Sequence, residues 1–487
     1  MTQRVLRYLS GMAGVLLLII GVGLLVAPGR QADMFAVLPS GPAGLSTIRA
    51  DLAGLFLGTG AFALGGAIAA SVSALSVTTV FLVVIACARL INLIADGSSP
   101  GALRSLAVEV VISAVLILTI ASIRKQKAVR LRAIVAVPVA IAVLLGVAFT
   151  FQRELGLMLL RRTIEQNVAD QLVPSLPDGL HVGVCGSGSP MPDPTRSGPC
   201  VVVIAGRHVF IVDVGEGGPR TLALMGVQPA LVDGVLLTHF HSDHIGGLGE
   251  LMLQRWATGG HTDPTPVYGP QGVQSVVDGF NSAYGLDKGY RIAHHGEETV
   301  PPSGAGGTAH AFDVTEGSDA GQIVLQQDGL TITAFPVNHA PIFPAVGYRF
   351  DYGGRSVVIS GDTAVSPSLV KAATGADLLL HEGLQTRMVS VMHDALGGDA
   401  RTGPAKITAD IPSYHTTPED AARAAAQAGV KQLVFYHTIP PLPIAYLNAA
   451  FLGDAPKLFT GPIIVSTDGL LLTLESGGSA ITRRSLL

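Results

Sequence analysis

Cysteine is nearly absent: 487 residues carry only Cys87, Cys185 and Cys200, and none of these stands at the close spacing of a zinc-binding Cys pair. Any metal chemistry must therefore come from histidine and carboxylates. Charge is sparse too, at 14% of residues, with 31 Lys and Arg against 35 Asp and Glu. A net charge of −4 supplies no overall basic field, which disfavours nucleic acid as a substrate. Apolar residues, in contrast, make up 48% of the chain, and the mean hydropathy is +0.49. The length exceeds that of a typical single domain, so two or more units are expected. Nearly all the long uninterrupted apolar runs precede residue 152, and the remainder reads as ordinary globular sequence.

Five segments are long and apolar enough to span a bilayer, which takes about 20 residues per helix: Tyr8–Ala27, Leu52–Val72, Ala74–Leu93, Leu106–Ile123 and Ala133–Phe151. The first follows Arg4 and Arg7 as a signal peptide would. It is longer than a usual signal core and further spans succeed it, so it reads as a retained anchor with the lipid bilayer as partner. Arg124, Lys125, Lys127, Arg130 and Arg132 crowd the connection between the fourth and fifth spans. Five crossings put this cluster and Arg4/Arg7 on one face, as the positive-inside rule requires. The expectation is an integral plasma or inner membrane protein with a cytoplasmic N-terminus and an extracytoplasmic catalytic domain; one crossing more or fewer reverses it. Arg49, Asp51, Arg89 and Glu109 lie within or beside apolar segments, where charges are costly and often paired or functional. They form no transport signature and read as snorkelling or structurally paired charges. The run Arg49–Gly58 resembles a segment of small four-helix bacterial membrane modules of unassigned function.

Residues 153–179 read as a helical stalk and linker between a membrane domain (1–152) and a catalytic domain (180–487), with Pro174, Pro177, Asp178 and Gly179 ending the helix. From Leu180 the texture becomes short β-type runs between Gly- and Pro-rich turns: His181–Cys185, Cys200–Ala205, Val209–Val212, Val235–Leu237, Thr331–Val337, Ser356–Ser360, Leu378–Leu380, Gln432–Phe435 and Ile463–Ser466. Helical stretches such as Leu248–Trp256 and Pro418–Gln427 lie between them, which predicts an α/β or α+β layered architecture.

The central feature is Thr238-His239-Phe240-His241-Ser242-Asp243-His244 at the end of a buried apolar strand. Residues two apart in an extended segment point the same way, so His239 and His241 can grip one metal ion, and after the turn Asp243 and His244 can face a second. Imidazole and carboxylate ligands suit Zn²⁺, with Mn²⁺ or Fe as substitutes. One His-x-His is weak evidence; the full pattern after a strand is specific. Further donors follow later strands: His339, Asp362 and His437. Alone, His339 or His437 would read as a hydrogen-bonded loop histidine. Together they complete two ligand shells.

These motifs resemble the metallo-β-lactamase superfamily, in the branch similar to ribonuclease Z and related phosphodiesterases. The resemblance covers Leu180 to Leu474. It includes Gly186–Pro190 with Asp193–Arg196, Asp213–Glu216, Ser360–Thr363, His381–Gly383 and Tyr414–Ala421. It implies an αββα sandwich, here preceded by an all-α transmembrane bundle. It also implies two divalent metal ions, one held by His239, His241 and His339 and the other by Asp243, His244 and His437, with Asp362 bridging and Asp213 orienting the ligands. Asp243, His415 and Glu382 would take part in catalysis, His415 as proton donor to the leaving group and Glu382 as its orienting partner. Read without the resemblance, His415 is equally a residue at the start of a helix. His381 reads as strand-end packing, and His294 and His295 as part of an excursion rimming the substrate pocket.

The sequence departs from that branch where ribonuclease Z proteins usually carry a basic, Gly-rich arm: Arg255 to Gly321 is not basic and contains Glu297-Glu298. Cys185 and Cys200 end and begin consecutive strand-like runs, so a hairpin would bring them within disulfide range; the alternative is a pair of reduced, buried thiols. The reading that follows is a membrane-anchored dinuclear hydrolase acting on a small-molecule phosphodiester or related ester through a metal-bridging hydroxide. Lactone, β-lactam, thioester and sulfate ester substrates stay open, because one fold hosts many chemistries. The alternative is a membrane sensor or transport accessory whose metal domain binds a ligand without turnover.

Overall fold

The computed structural model describes residues 3–28, 41–95, 100–124, 152–169, 171–315, 317–398 and 403–487. The chain divides into two compact units, Met1–Ile164 and Glu165–Leu487, and the division falls within the residues expected as the stalk.

The first unit is helical: α1 (Gln3–Val26), α2 (Gly41–Thr47), α3 (Gly54–Ile68), α4 (Val72–Ala95), α5 (Pro100–Arg124) and α6 (Gln152–Ala169). Among the described residues, four helices are long and apolar enough to cross a membrane: Gln3–Val26, Ala43–Ile68, Val72–Ile91 and Leu103–Arg124. The fifth expected span, Ala133–Phe151, and the basic residues from Lys125 to Arg132 lie outside the described residues. Close approach of α1 and α3 depends on small residues, since a Cβ on Gly14 would stand 2.6 Å from the backbone nitrogen of Leu64. Arg89 and Glu109 form the expected structural pair, with Nη2 donating to Oε1 at 2.8 Å. Arg49 and Asp51 sit in a π-helical turn, Ile48–Ala53, between α2 and α3.

The second unit is a two-sheet sandwich. Its strands are β1 (Gly179–Gly186), β2 (Cys200–Ala205), β3 (His208–Val212), β4 (Gly234–Leu236), β5 (Thr265–Pro270), β6 (Gly307–Phe312), β7 (Gln322–Gln327), β8 (Leu330–Pro336), β9 (Val346–Tyr352), β10 (Arg355–Ile359), β11 (Leu378–Leu384), β12 (Gln432–Ile439), β13 (Ile463–Val465), β14 (Leu470–Glu475) and β15 (Thr482–Ser485). One sheet runs β15-β14-β1-β2-β3-β4-β5-β6 and the other β13-β12-β11-β10-β9-β8-β7. Every run expected as a strand is one, within a few residues at its ends.

Alternation along the strands builds the layers. Val201 and Val203 of β2 join Phe210, Ile332, Tyr348, Val357 and Val434 in the core between the sheets. Val202 and Ile204 point the other way, under Leu222, Leu251 and Met252. On the second sheet Val358 packs outward beneath Leu369, Ala421 and Phe451. Helices thus cover both outer faces, which is the αββα arrangement.

Cys185 and Cys200 are joined as a disulfide, 15 residues apart, at the end of the β1–β2 hairpin where Gly186 pairs with Cys200. Both sulfurs are buried. Closing a loop of this length stabilises by about 3 kcal/mol on the chain-entropy argument. Reduction under denaturing titration is therefore expected to lower the unfolding free energy of this unit by about that amount, with Cys185→Ala/Cys200→Ala behaving as the reduced protein. Equal unfolding midpoints with and without reductant would refute it.

Candidate metal centre

Both sheets deliver their polar residues at one end. In the first, β3 and β4 run parallel, so the residues that follow both emerge together. Asp213 follows β3 and adopts a positive φ of 55°, an uncommon conformation for a non-glycine residue. Its Oδ1 accepts from the Thr238 backbone N–H at 2.8 Å and its Oδ2 from the Thr238 hydroxyl at 2.7 Å and from His244 Nδ1 at 2.8 Å. Asp213 therefore fixes the start of the histidine segment and turns the Nε2 of His244 inward. After β4 the chain bends at Thr238, is extended at His241 and then enters a short helix, α7 (Ser242–Ile245). His239 and His241 join one donor group and Asp243 and His244 the other, as the spacing predicts, although the rings of His239 and His244 lie only 4.2 Å apart.

The second sheet supplies the rest. His339 follows β8; its Nδ1 donates to the Tyr414 carbonyl at 3.0 Å, which leaves Nε2 with a free lone pair. Asp362 follows β10 through Gly361, where a Cβ would stand 2.7 Å from the Val346 carbonyl; glycine lets the turn seat beside Thr238. His437 lies within β12 at a positive φ of 47°, a strained conformation of the kind found at functional sites.

Two groups of donors result: His239, His241, His339 and Asp362, and Asp243, His244 and His437, with the donor atoms of each group within 4.8 Å of one another. Asp362 lies against both, with Oδ1 3.3 Å from His244 Nε2, and Oδ2 3.3 Å from His437 Nε2 and 3.9 Å from His239 Nε2. Asp243 Oδ2 is 3.3 Å from His437 Nε2 and 3.5 Å from His244 Nε2. His415 adjoins the cluster, its ring centroid 5.4 Å from that of His339 and 5.7 Å from that of His437. Its Nδ1 is 3.4 Å from Glu382 Oε2. Glu382 is fully buried, and its Oε1 accepts from the Thr416 backbone N–H at 2.6 Å.

The electrostatics ask for cations. Burial pushes His239 well below 6.5 and lowers His241 and His339, so these rings present lone pairs. At His244 and His437 burial is the largest single influence and opposes the charged form, but the carboxylates together outweigh it, Asp362 and Asp213 at His244 and Asp362 and Asp243 at His437, and the pKa of each rises. Burial also opposes the Asp362 carboxylate, yet His437 and His244 hold it well below 3.8. His244 Nε2, Asp362 Oδ1 and His437 Nδ1 are buried without hydrogen-bond partners, an unmet demand where such groups are normally satisfied. Imidazoles and carboxylates at this spacing fit two divalent cations of the Zn²⁺ type.

His381 is buried within β11, its Nδ1 2.7 Å from the Glu382 carbonyl, as strand packing. His294 and His295 stand exposed at the end of a helix (Gly285–His295) within the expected excursion. They belong to neither donor group. Sequence reasoning missed Asp468, whose Oδ1 accepts from the Ser187 N–H at 2.9 Å and its hydroxyl at 2.8 Å, and whose Oδ2 accepts from the Ser197 N–H at 2.7 Å. Ser187 in turn accepts from the Thr438 N–H, next to His437, so Asp468 ties the β1–β2 loop to the site.

Residues 211–438 match a family described as a β-lactamase superfamily domain, and residues 5–120 match a domain of unknown function (DUF4345). Among curated proteins, ribonuclease Z of Mycobacterium marinum is 38% identical over 265 residues, covering 54% of this chain and 88% of that protein. Ribonuclease Z of Mycobacterium avium is 38% identical over 291 residues, covering 59% of this chain and 96% of that protein. A metallo-β-lactamase-fold protein of Bacillus subtilis aligns structurally with a TM-score of 0.43 and 21% identity, covering 61% of this chain and all of that one.

Proposed function

Since the chain belongs to the metallo-β-lactamase superfamily, with ribonuclease Z proteins among its relatives, and is a metal-dependent hydrolase, we propose that it is a membrane-anchored dinuclear enzyme that cleaves a phosphodiester or related ester on the extracytoplasmic side. The observation that carries this reading is the convergence of both donor groups on Asp362, with His415 beside them.

His239, His241 and His339 would hold one cation and Asp243, His244 and His437 the other, with Asp362 between them. Two divalent cations, when bound, supply Lewis acidity that makes water acidic and neutralises charge developing on the ester. The chain's own part is orientation and proton transfer. Asp213 and the Tyr414 carbonyl fix the tautomers of His244 and His339. His415 turns Nδ1 toward Glu382, which leaves Nε2 to hand a proton to the departing oxygen as its bond to phosphorus breaks.

Two features weigh against a polynucleotide substrate. From Leu180 to Leu487 there are 17 Lys and Arg against 27 Asp and Glu, whereas binding to a polyphosphate backbone rests on basic residues. The Cys185–Cys200 disulfide fits an oxidising compartment outside the cytoplasm. The deciding experiment assays the full chain in lipid nanodiscs, with added Zn²⁺ or Mn²⁺, against bis(p-nitrophenyl) phosphate and a panel of lactone, β-lactam and sulfate esters. Metal-dependent turnover of the diester is expected. Turnover of another ester alone would change the chemistry assigned to the site, and two bound metals without turnover would favour a ligand-binding sensor.

A further inference from the structure

Beyond β8 the chain reaches His339 and doubles back through Ala340, Pro341, Ile342 and Phe343; beyond β10 it reaches Asp362 and then Val365. The two loops lie side by side, pinned by the Ala364 N–H donating to the Asn338 carbonyl at 2.7 Å. Both loops line one cleft of about 380 Å³, whose walls include His339, Pro341, Ile342, Phe343 and Val365. Val365 is 59% exposed, Phe343 44% and Ile342 37%. Single exposed apolar residues are ordinary, but several gathered on one cleft that includes a residue of the metal cluster mark a binding surface.

The charge around this cleft narrows the occupant. Among the described residues that line it none is Lys or Arg, and the acidic one, Asp319, is paired with Lys371 Nζ at 2.8 Å. A phosphate or a nucleotide strand would meet no counter-charge there. A neutral hydrocarbon chain would meet Ile342, Phe343 and Val365, and covering them removes apolar surface from water on both sides. Resting on the hydrolase reading above, we propose that this cleft holds the apolar substituent of the substrate, so that the enzyme acts on lipid-like esters carrying an alkyl or isoprenoid chain. Such molecules reside in the bilayer into which the N-terminal helices would anchor the enzyme.

The test measures binding apart from turnover. Methyl- to pentylphosphonate are titrated calorimetrically into the Zn²⁺-loaded full chain in nanodiscs, with empty nanodiscs as blank. In parallel, kcat/KM is measured for methyl to pentyl p-nitrophenyl phosphate. Affinity and kcat/KM are expected to climb about three- to fourfold per added methylene. In Phe343→Ser and Val365→Ser the climb should flatten to less than about twofold per methylene, while Leu224→Ser, an exposed apolar residue on a separate helix (Gly218–Leu224), keeps the full slope. A flat series in the unaltered protein overturns the apolar subsite while turnover of the methyl ester leaves the hydrolase reading standing. A slope that Leu224→Ser flattens equally, or that Phe343→Ser and Val365→Ser both preserve, also overturns it. Rising affinity without turnover of any diester sustains the subsite and removes the phosphodiester assignment.

Discussion

Asp362→Ala is expected to lower turnover by on the order of 10³-fold or more and to empty at least one metal position. A buried carboxylate in contact with His239, His244 and His437 is the group through which the two donor sets share negative charge. Without it, the two described donor groups keep five imidazoles and one carboxylate, Asp243, and the neighbouring Asp213 is already committed to Thr238 and His244. Lewis-acid stabilisation is worth several kcal/mol, and each 1.36 kcal/mol is tenfold in rate, so the loss of one cation alone accounts for about three decades. Metal content by mass spectrometry and turnover are read together. Asp362→Asn keeps the shape and removes the charge, so it should lose metal nearly as severely. A variant that retains two metals and full turnover would show that Asp362 does not join the two donor groups. Metal also stabilises what it binds: at a hundredfold excess over Kd, each cation adds about 2.7 kcal/mol to unfolding. The melting rise on Zn²⁺ addition seen with the unaltered protein should therefore shrink in Asp362→Ala.

The ligand-bearing strands were legible because each combines a short apolar run with a polar residue immediately beyond it: Val235–Leu237 before His239, Ser356–Ser360 before Asp362, Gln432–Phe435 before His437. Burial on both faces gives such strands continuous hydrophobicity. Some of the strands not named among those runs lack that pattern. β5 carries two prolines and a glycine in six residues, half of β6 is exposed, and β15 (Thr-Arg-Arg-Ser) is exposed throughout. They are held by pairing, β5 with β4 and β6, and β15 with β14. The excursion from Arg255 to Gly321 likewise hid two helices, Val273–Ala283 and Gly285–His295, the second with no buried residue to announce it.

Asp468 shows a different limit. In sequence it sits in a Thr-Asp-Gly turn and reads as turn chemistry. Its hydrogen-bond partners Ser187 and Ser197 are 281 and 271 residues away, and no local pattern connects them. Asp213 was placed only through the family resemblance, although its positive φ and threefold acceptance of hydrogen bonds give a physical reason for an aspartate there. In the first unit the apolar runs announced helices well, since hydrophobicity over about 20 residues is a strong criterion. The π-helical turn at Ile48–Ala53 was not announced: the second long apolar helix, expected from Leu52, begins at Ala43 and includes that turn.

His415→Ala should leave metal content unchanged and lower turnover of poor leaving groups by about 10²–10⁴-fold, the usual contribution of a positioned proton donor. The geometry separates this residue from the ligands: its ring packs beside those of His339 and His437, but it belongs to neither donor group. Its side chain is 6% exposed and Glu382 is fully buried, with Nδ1 3.4 Å from the carboxylate, so the pair lies almost out of reach of water. A proton donor matters in proportion to the basicity of the oxygen that departs. With p-nitrophenolate, which leaves without help, the variant should lose little; with an alkoxide it should lose most. Plotting log kcat/KM against leaving-group pKa should therefore give a steeper slope for His415→Ala than for the unaltered enzyme. Glu382→Gln, which keeps the hydrogen bond from Thr416 and removes the charge facing Nδ1, should give an intermediate slope because it weakens the donor without deleting it. If the loss is equal across the series, His415 supports the shape of the site rather than transferring a proton, and the departing oxygen must take its proton from water.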